Sequence, residues 1–163
     1  MGLDEAGKTT LVQRFVNGLE DELPPSEEVE EVVYQHPQSQ VVFRELGGRF
    51  RYRDLWSNHF EGVDALIWVV DSIDRGRIIE SVEEFDRIKR DFRIATIPTI
   101  VLFTKQDAKY AQDPNFLVNQ FMSRSDCTGV HFVATDAVEA CGMEEETDHL
   151  LKQVIEQRKL FQE

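Results

Sequence analysis

Residues 2–9 read Gly2-Leu3-Asp4-Glu5-Ala6-Gly7-Lys8-Thr9 and fulfil the pattern G-x-x-x-x-G-K-[ST] at every specified position. Each residue type has a chemical reason. The glycines let backbone N–H groups curl around phosphate oxygens with no Cβ in the way. Lys8 supplies a point charge to the outer phosphates, and the Thr9 hydroxyl is a ligand for Mg²⁺. Apolar Leu11, Val12, Phe15, Val16 and Leu19 follow at helical spacing, which predicts an amphipathic helix from about Thr9 to Leu19. Its positive end points at the bound anion. The alternative, a chance match in a glycine-bearing turn, does not explain that helix.

Working backwards from the loop, only Met1 precedes it. A loop of this kind normally follows a strand in the middle of a sheet. The expectation is therefore an N-terminally truncated domain over residues 1–163 whose first central strand is missing. Each buried orphaned backbone group costs roughly 1–3 kcal/mol, against a total stability of about 5–15 kcal/mol. Either the sequence is a partial or alternative product, or the strands beside the gap close it.

Working forwards, "EDELPPSEEVEE" is acidic, carries Pro24 and Pro25 and reads as an exposed loop. "EVVYQ" and "QVVFREL" flank "HPQS" and predict two strands joined by a turn. "ALIWVVD", "TIVLFTK" and "VHFVAT" are continuous apolar runs of strand length, as expected of strands covered on both faces. Between and after them lie helical patterns. One spans about Arg77 to Arg93, with Ile78, Val82, Phe85 and Ile88 on one face. A short one lies around Phe116 to Met122. The last spans Met143 to Leu160, with Leu150, Leu151, Val154 and Ile155 inward. Strand and helix alternate, so the fold class is α/β: a P-loop fold with a mostly parallel sheet and helices on both faces.

Composition excludes several roles. The 163 residues carry 18 Lys plus Arg against 31 Asp plus Glu, a net charge of −13, which opposes binding to nucleic acid. No apolar run approaches the roughly 18 residues of a membrane span. Cys127 and Cys141 lack metal-ligand spacing and read as reduced thiols of an intracellular protein. Ala6 stands where lipidation of Gly2 would need Ser or Thr.

The ordered blocks resemble an Arf or Arf-like small GTPase. "GLDEAGKTT" is similar to that family's phosphate loop, "ELGGRFRYRDLWSNHF" to its second switch and "ALIWVVDSIDRGR" to the strand and turn that follow. "TKQD" resembles the guanine-reading Asn-Lys-Gln-Asp, and "ATDAVEACGM" the last base-contacting loop. The resemblance covers essentially the whole chain. It implies binding of GTP and GDP with Mg²⁺, with nucleotide contacts from Gly2, Asp4, Ala6, Gly7, Lys8, Thr9, Thr10, Gly48, Thr104, Lys105, Asp107 and Ala137. Asp107 would accept hydrogen bonds from guanine N1 and N2, Lys105 would lay its stem over the base, the Ala137 N–H would reach O6, and the Gly48 N–H would sense the γ-phosphate. It further implies effector, exchange-factor and GAP proteins as partners, a cytoplasmic location with peripheral contact to intracellular membranes, and a role in vesicle-mediated transport or cilium-related signalling.

The departures cluster at catalytic and switch positions. Arg49 stands where the family has the Gln that orients the attacking water, and Arg has donors only. GTP hydrolysis is therefore expected to be impaired or very slow. A role for Arg49 as a cis arginine finger is the weaker reading, because the position suits water better than phosphate. Glu45 replaces an Asp that helps to hold Mg²⁺ through water, and Arg44 an apolar aromatic. Ser26 is the best stand-in for the Mg²⁺-ligating Thr of the first switch, among Glu27, Glu28, Glu30 and Glu31. Thr104 stands in place of Asn. The resulting alternative is a pseudo-GTPase interaction scaffold without turnover. A metabolite kinase is a third reading, and it lacks an evident acceptor site and lid.

Overall fold

The computed structural model describes residues 1–17, 29–36, 39–135 and 148–155. Helix α1 (Lys8–Asn17) leaves the phosphate loop. Strands β1 (Val29–His36) and β2 (Ser39–Leu46) pair antiparallel, with Val33 opposite Val42 and Glu31 opposite Arg44. A short helix α2 (Phe50–Arg53) and a 3₁₀ turn (Trp56–His59) lead into β3 (Leu66–Asp71). Then come α3 (Ile78–Lys89), β4 (Thr99–Thr104), α4 (Pro114–Met122) and β5 (Val130–Ala134). Residues 148–155 are helical.

Strands β3, β4 and β5 form a parallel sheet in that order, with β4 central. Its two faces are covered by different helices. Trp68, Val70, Val101 and Phe103 pack with Val82 and Phe85 of α3 and Leu117 and Phe121 of α4. Val69, Ile100 and Leu102 pack on the other face with Leu11 of α1 and Leu150. Successive side chains of a strand point to opposite faces, so both parities must be apolar. That is why "TIVLFT" reads as an unbroken apolar run, and every residue of β4 is buried. The aromatic rings of Trp68, Phe85 and Phe121 join edge-to-face at 5.2–5.7 Å, a favoured arrangement of ring quadrupoles.

Two expectations are corrected. The helix expected from Arg77 to Arg93 ends at Lys89. Asp91 accepts from the Arg93 N–H (3.0 Å) and the Ile94 N–H bonds back to the Asp91 carbonyl (2.9 Å), a local turn that competes with further helix. The short helix expected around Phe116 starts earlier, at Pro114. Asp113 caps it by accepting from Asn115 N–H and Phe116 N–H.

The strands beside the expected gap do not close it. Among the described residues β2 pairs with β1 alone and β3 with β4 alone, which leaves two separate sheets. Met1 lies against β3 as a strand residue does: its N donates to the Ile67 carbonyl and its carbonyl accepts from Val69 N–H, both at 2.8 Å. The phosphate loop touches both sides of the gap. A Cβ on Gly2 would sit 2.2 Å from the Val69 carbonyl oxygen, and one on Gly48 would sit 2.3 Å from the Asp4 nitrogen. The loop backbone is thus wedged between the end of β3 and the segment that follows β2. A cavity of about 580 Å³ opens behind it, lined by Val41, Phe43, Leu66, Ile67, Leu11 and Leu150 among others.

Candidate functional site

The loop curls where its sequence permits. Gly2 and Gly7 have φ of 138° and 89°, left-handed values that a glycine adopts without a Cβ clash. Glu5 adopts φ 64° without that freedom, as does Lys105 at φ 60°. These two strained residues meet: Lys105 Nζ donates to the Glu5 carbonyl at 2.9 Å. Strain held at such a point is characteristic of functional loops. Helix α1 starts at Lys8 with no acidic residue in its first turn, so nothing on the helix itself offsets its positive end. Lys8 is buried and its Nζ donates to the Leu3 carbonyl at 2.8 Å, which bridges the loop internally. Desolvation lowers its pKa from 10.5 to about 8, opposed by the charges of Glu45 and Asp4. A buried ammonium, free N–H groups at a helix start and glycine-permitted curvature together make a cradle fit for phosphate oxygens.

The residues expected at a metal are brought together in part. Thr9 Oγ1 donates to Glu45 Oε1 at 2.6 Å, and Glu45 is buried. The extra methylene of Glu over Asp therefore does not swing the carboxylate away. A hydroxyl and a carboxylate oxygen in contact are the hard donors that Mg²⁺ takes. Ser26 lies outside the described residues. Gly48 packs on the loop backbone at Leu3 and Asp4. Arg49 next to it is exposed in extended conformation, and its guanidinium finds no partner among the described residues.

The base-side motif reaches the same loop from the end of β4. The buried Thr104 hydroxyl lies 2.9 Å from the Ala6 carbonyl and 3.0 Å from the Val70 carbonyl. Thr104 thereby ties loop, β3 and β4 together in place of the amide expected there. Lys105 Nζ also pairs with Asp71 at 2.5 Å. Asp107 is exposed, in the turn just beyond. Gln106 N–H and Thr135 N–H bond across to the Thr135 and Phe103 carbonyls, so the ends of β4 and β5 emerge side by side. Ligands of open parallel sheets gather at such carboxyl ends. Ala137 lies outside the described residues. Thr10 is exposed on α1, while Ala6 is buried beneath the loop.

The sequence reading gave Arg77, Arg53 and Trp56 no role in this site. Asp4 is held by Arg77 at 2.8 Å, and Arg77 is in turn held by Asp74 at 2.6 Å. Arg53 is buried and donates to the Gly48 carbonyl (2.9 Å) and to Glu80 (2.6 Å). Trp56, also buried, donates its indole N–H to the Gly47 carbonyl at 2.9 Å. The only signal for Arg53 was a basic residue two before Leu55-Trp56, which on its face is a solvated position.

Residues 1–154 match the model of the ADP-ribosylation factor family. The chain is 32% identical over 133 residues to ADP-ribosylation factor-like protein 2 of Drosophila melanogaster, covering 82% of this chain and 72% of that protein. Among solved structures it is similar to the Arl6 BBS3 small GTPase of Trypanosoma brucei with bound nucleotide analogue GppNp. The TM-score there is 0.84 and the identity 21%, over 96% of this chain and 95% of that one, a likeness that speaks to fold. Wedged phosphate loop, two-faced parallel sheet and these matches agree, and the chain belongs to the ADP-ribosylation factor family.

Proposed function

We propose that the 163 residues act as one guanine-nucleotide-binding domain, an Arf-like switch that holds GTP or GDP and hydrolyses GTP very slowly. The observation that carries this reading is the pair of bonds from Thr104 and Lys105 to the Ala6 and Glu5 carbonyls. They couple the base-reading turn to the phosphate cradle, so a nucleotide that spans both meets one rigid unit. In this reading Lys8 and the N–H groups of Gly2–Thr10 bind phosphates, the Lys105 stem covers the base and Asp107 reads its amino edge. Thr9, with Glu45 acting through water, would hold Mg²⁺, which supplies charge neutralisation to the phosphates when bound. Effectors, exchange factors and GAP proteins would act on the segments around Gly48 and residues 18–28. Vesicle traffic or cilium-related signalling on the cytoplasmic side of membranes is the setting that the family resemblance supports. The exposed Arg49 favours a second reading, a scaffold without turnover.

Calorimetric titration with GDP, GTP and ATP tests the proposal. Affinity for both guanine nucleotides with none for ATP is the expected result, and equal affinity for ATP ends it. Asp107→Ala should weaken guanine nucleotides by roughly 100-fold or more, since two hydrogen bonds to a charged acceptor are worth about 3 kcal/mol or more.

Lys8 gives a pH-dependent signature. Its pKa in the folded protein lies below the unfolded value, so between about pH 8 and 10.5 the unfolded chain holds more protons. In that window this group alone makes stability rise with pH. Bound phosphates favour the charged form and reverse the shift. Nucleotide binding near pH 8.5 should therefore take up a fraction of a proton, read as a dependence of the binding enthalpy on buffer ionisation enthalpy. That uptake should grow between about pH 7.5 and 9, as Lys8 of the nucleotide-free protein loses its proton.

A further inference from the structure

Two buried side chains grip consecutive carbonyls of the Gly47-Gly48 segment. Trp56 Nε1 donates to the Gly47 carbonyl at 2.9 Å. Arg53 Nε donates to the Gly48 carbonyl at 2.9 Å. The Gly47 carbonyl and the Gly48 N–H belong to one peptide unit, which is trans like every peptide bond in the described chain. In a trans unit C=O and N–H point in opposite directions. Holding the Gly47 oxygen therefore sets the direction of the Gly48 N–H. That N–H is buried and takes no acceptor among the described residues, while the Gly48 backbone rests on Leu3 and Asp4 of the phosphate loop. A buried donor without an acceptor, aimed by its neighbours and seated on an anion cradle, is a group waiting for an oxygen.

The gripping residues are themselves fixed. Arg53 is 4% exposed and its guanidinium donates to Glu80 at 2.6 Å, with Glu84 at 3.6 Å and Asp4 at 3.7 Å. Arg87 bonds to the Arg53 carbonyl at 3.2 Å and lies over the Trp56 ring at 5.7 Å. Trp56 packs edge-to-face on Trp68 of β3. Helix α3 and strand β3 thus brace a clamp on two peptide units.

We propose that Trp56 and Arg53 are positioning residues: by aiming the Gly48 N–H they set the preference for a nucleoside triphosphate over a diphosphate. The proposal rests on the guanine-nucleotide reading and adds to it the residues that create triphosphate discrimination. A terminal phosphate gains the aimed donor, whereas a diphosphate ends short of it.

Trp56→Phe keeps an aromatic ring and removes only the indole donor. Arg53→Lys keeps the charge beside Glu80 and removes the Nε bond to Gly48. Each variant is titrated with GDP and with GppNp by calorimetry, with Tm measured alongside. Loss of one aimed, charge-assisted bond should weaken GppNp roughly tenfold while GDP stays within about twofold. A merely structural role would lower Tm and both affinities together. An unchanged ratio of the two affinities in both variants overturns the clamp, whether both affinities fall or neither moves. If one variant does not fold, the other decides. Absence of binding by the natural protein removes the nucleotide reading itself, whereas binding with an unchanged ratio removes the clamp alone.

Discussion

Gly2→Ala is expected to cost about 3 kcal/mol of stability and to abolish nucleotide binding. Two penalties coincide at this position. Its φ of 138° lies where an L side chain is strained, and the added Cβ would fall 2.2 Å from the Val69 carbonyl oxygen. The obstacle is backbone, so no rotamer change relieves it. The loop must lift off β3, and with it go the Met1 bonds to Ile67 and Val69. At roughly 2–4 °C per kcal/mol for a domain of this size, Tm should fall by about 6–12 °C. The natural protein and the variant, melted with and without excess GDP, give the check. The natural protein should gain several degrees from the nucleotide by mass action, and the variant none. A variant that melts within 2 °C of the natural protein and still responds to GDP would mean that the loop does not sit on β3 as described.

How far the sequence disclosed this arrangement depends on the range of the interaction. The loop and the buried strands were legible because their signals are local. Glycine spacing, Lys8 and Thr9 lie within one turn of chain, and a strand covered on both faces must be apolar at both parities, as "TIVLFT" is. Helix α3 was legible through Ile78, Val82, Phe85 and Ile88, all buried, but its end was not. The Asp91 turn that stops it is a side-chain bond that no periodicity carries. Asp113-Pro114 was a usable start signal for α4 that the apolar pattern masked. The stretch "RFRYRD" reads as polar surface, and nothing along the chain distinguishes exposed Arg51 from buried Arg53. Burial of Arg53 follows from Glu80, Glu84 and Asp4, which come from two other parts of the chain and converge only after folding. The same holds for Thr104. In sequence it is a substitution for Asn, and in space its hydroxyl lies within hydrogen-bond distance of the Ala6 and Val70 carbonyls, which come from two other parts of the chain.

The largest gain of activity is expected from Arg49→Gln. Arg49 directly follows the Gly48 backbone that rests on the phosphate loop, and its side chain is exposed without a partner among the described residues. Among the described residues it therefore makes no hydrogen bond or ion pair that the substitution would remove. Chemically the two residues differ in one decisive respect. A guanidinium offers donors only, so it cannot accept a proton-bearing water, whereas an amide oxygen can while its NH₂ donates onward. Attack on a γ-phosphate requires a water held in line, and positioning of that kind contributes on the order of 10²-fold or more. Single-turnover hydrolysis of bound GTP should thus rise at least about tenfold in the variant, from a rate at or below the roughly 10⁻⁴ per second of unaided small GTPases. Affinity for GTP and Tm should stay unchanged, because only the solvated side chain differs. The opposite result carries equal information. If the natural protein turns over faster than the variant, the guanidinium must be stabilising charge on the departing phosphoryl group, and Arg49 would then act as a finger supplied in cis rather than as a lost catalyst.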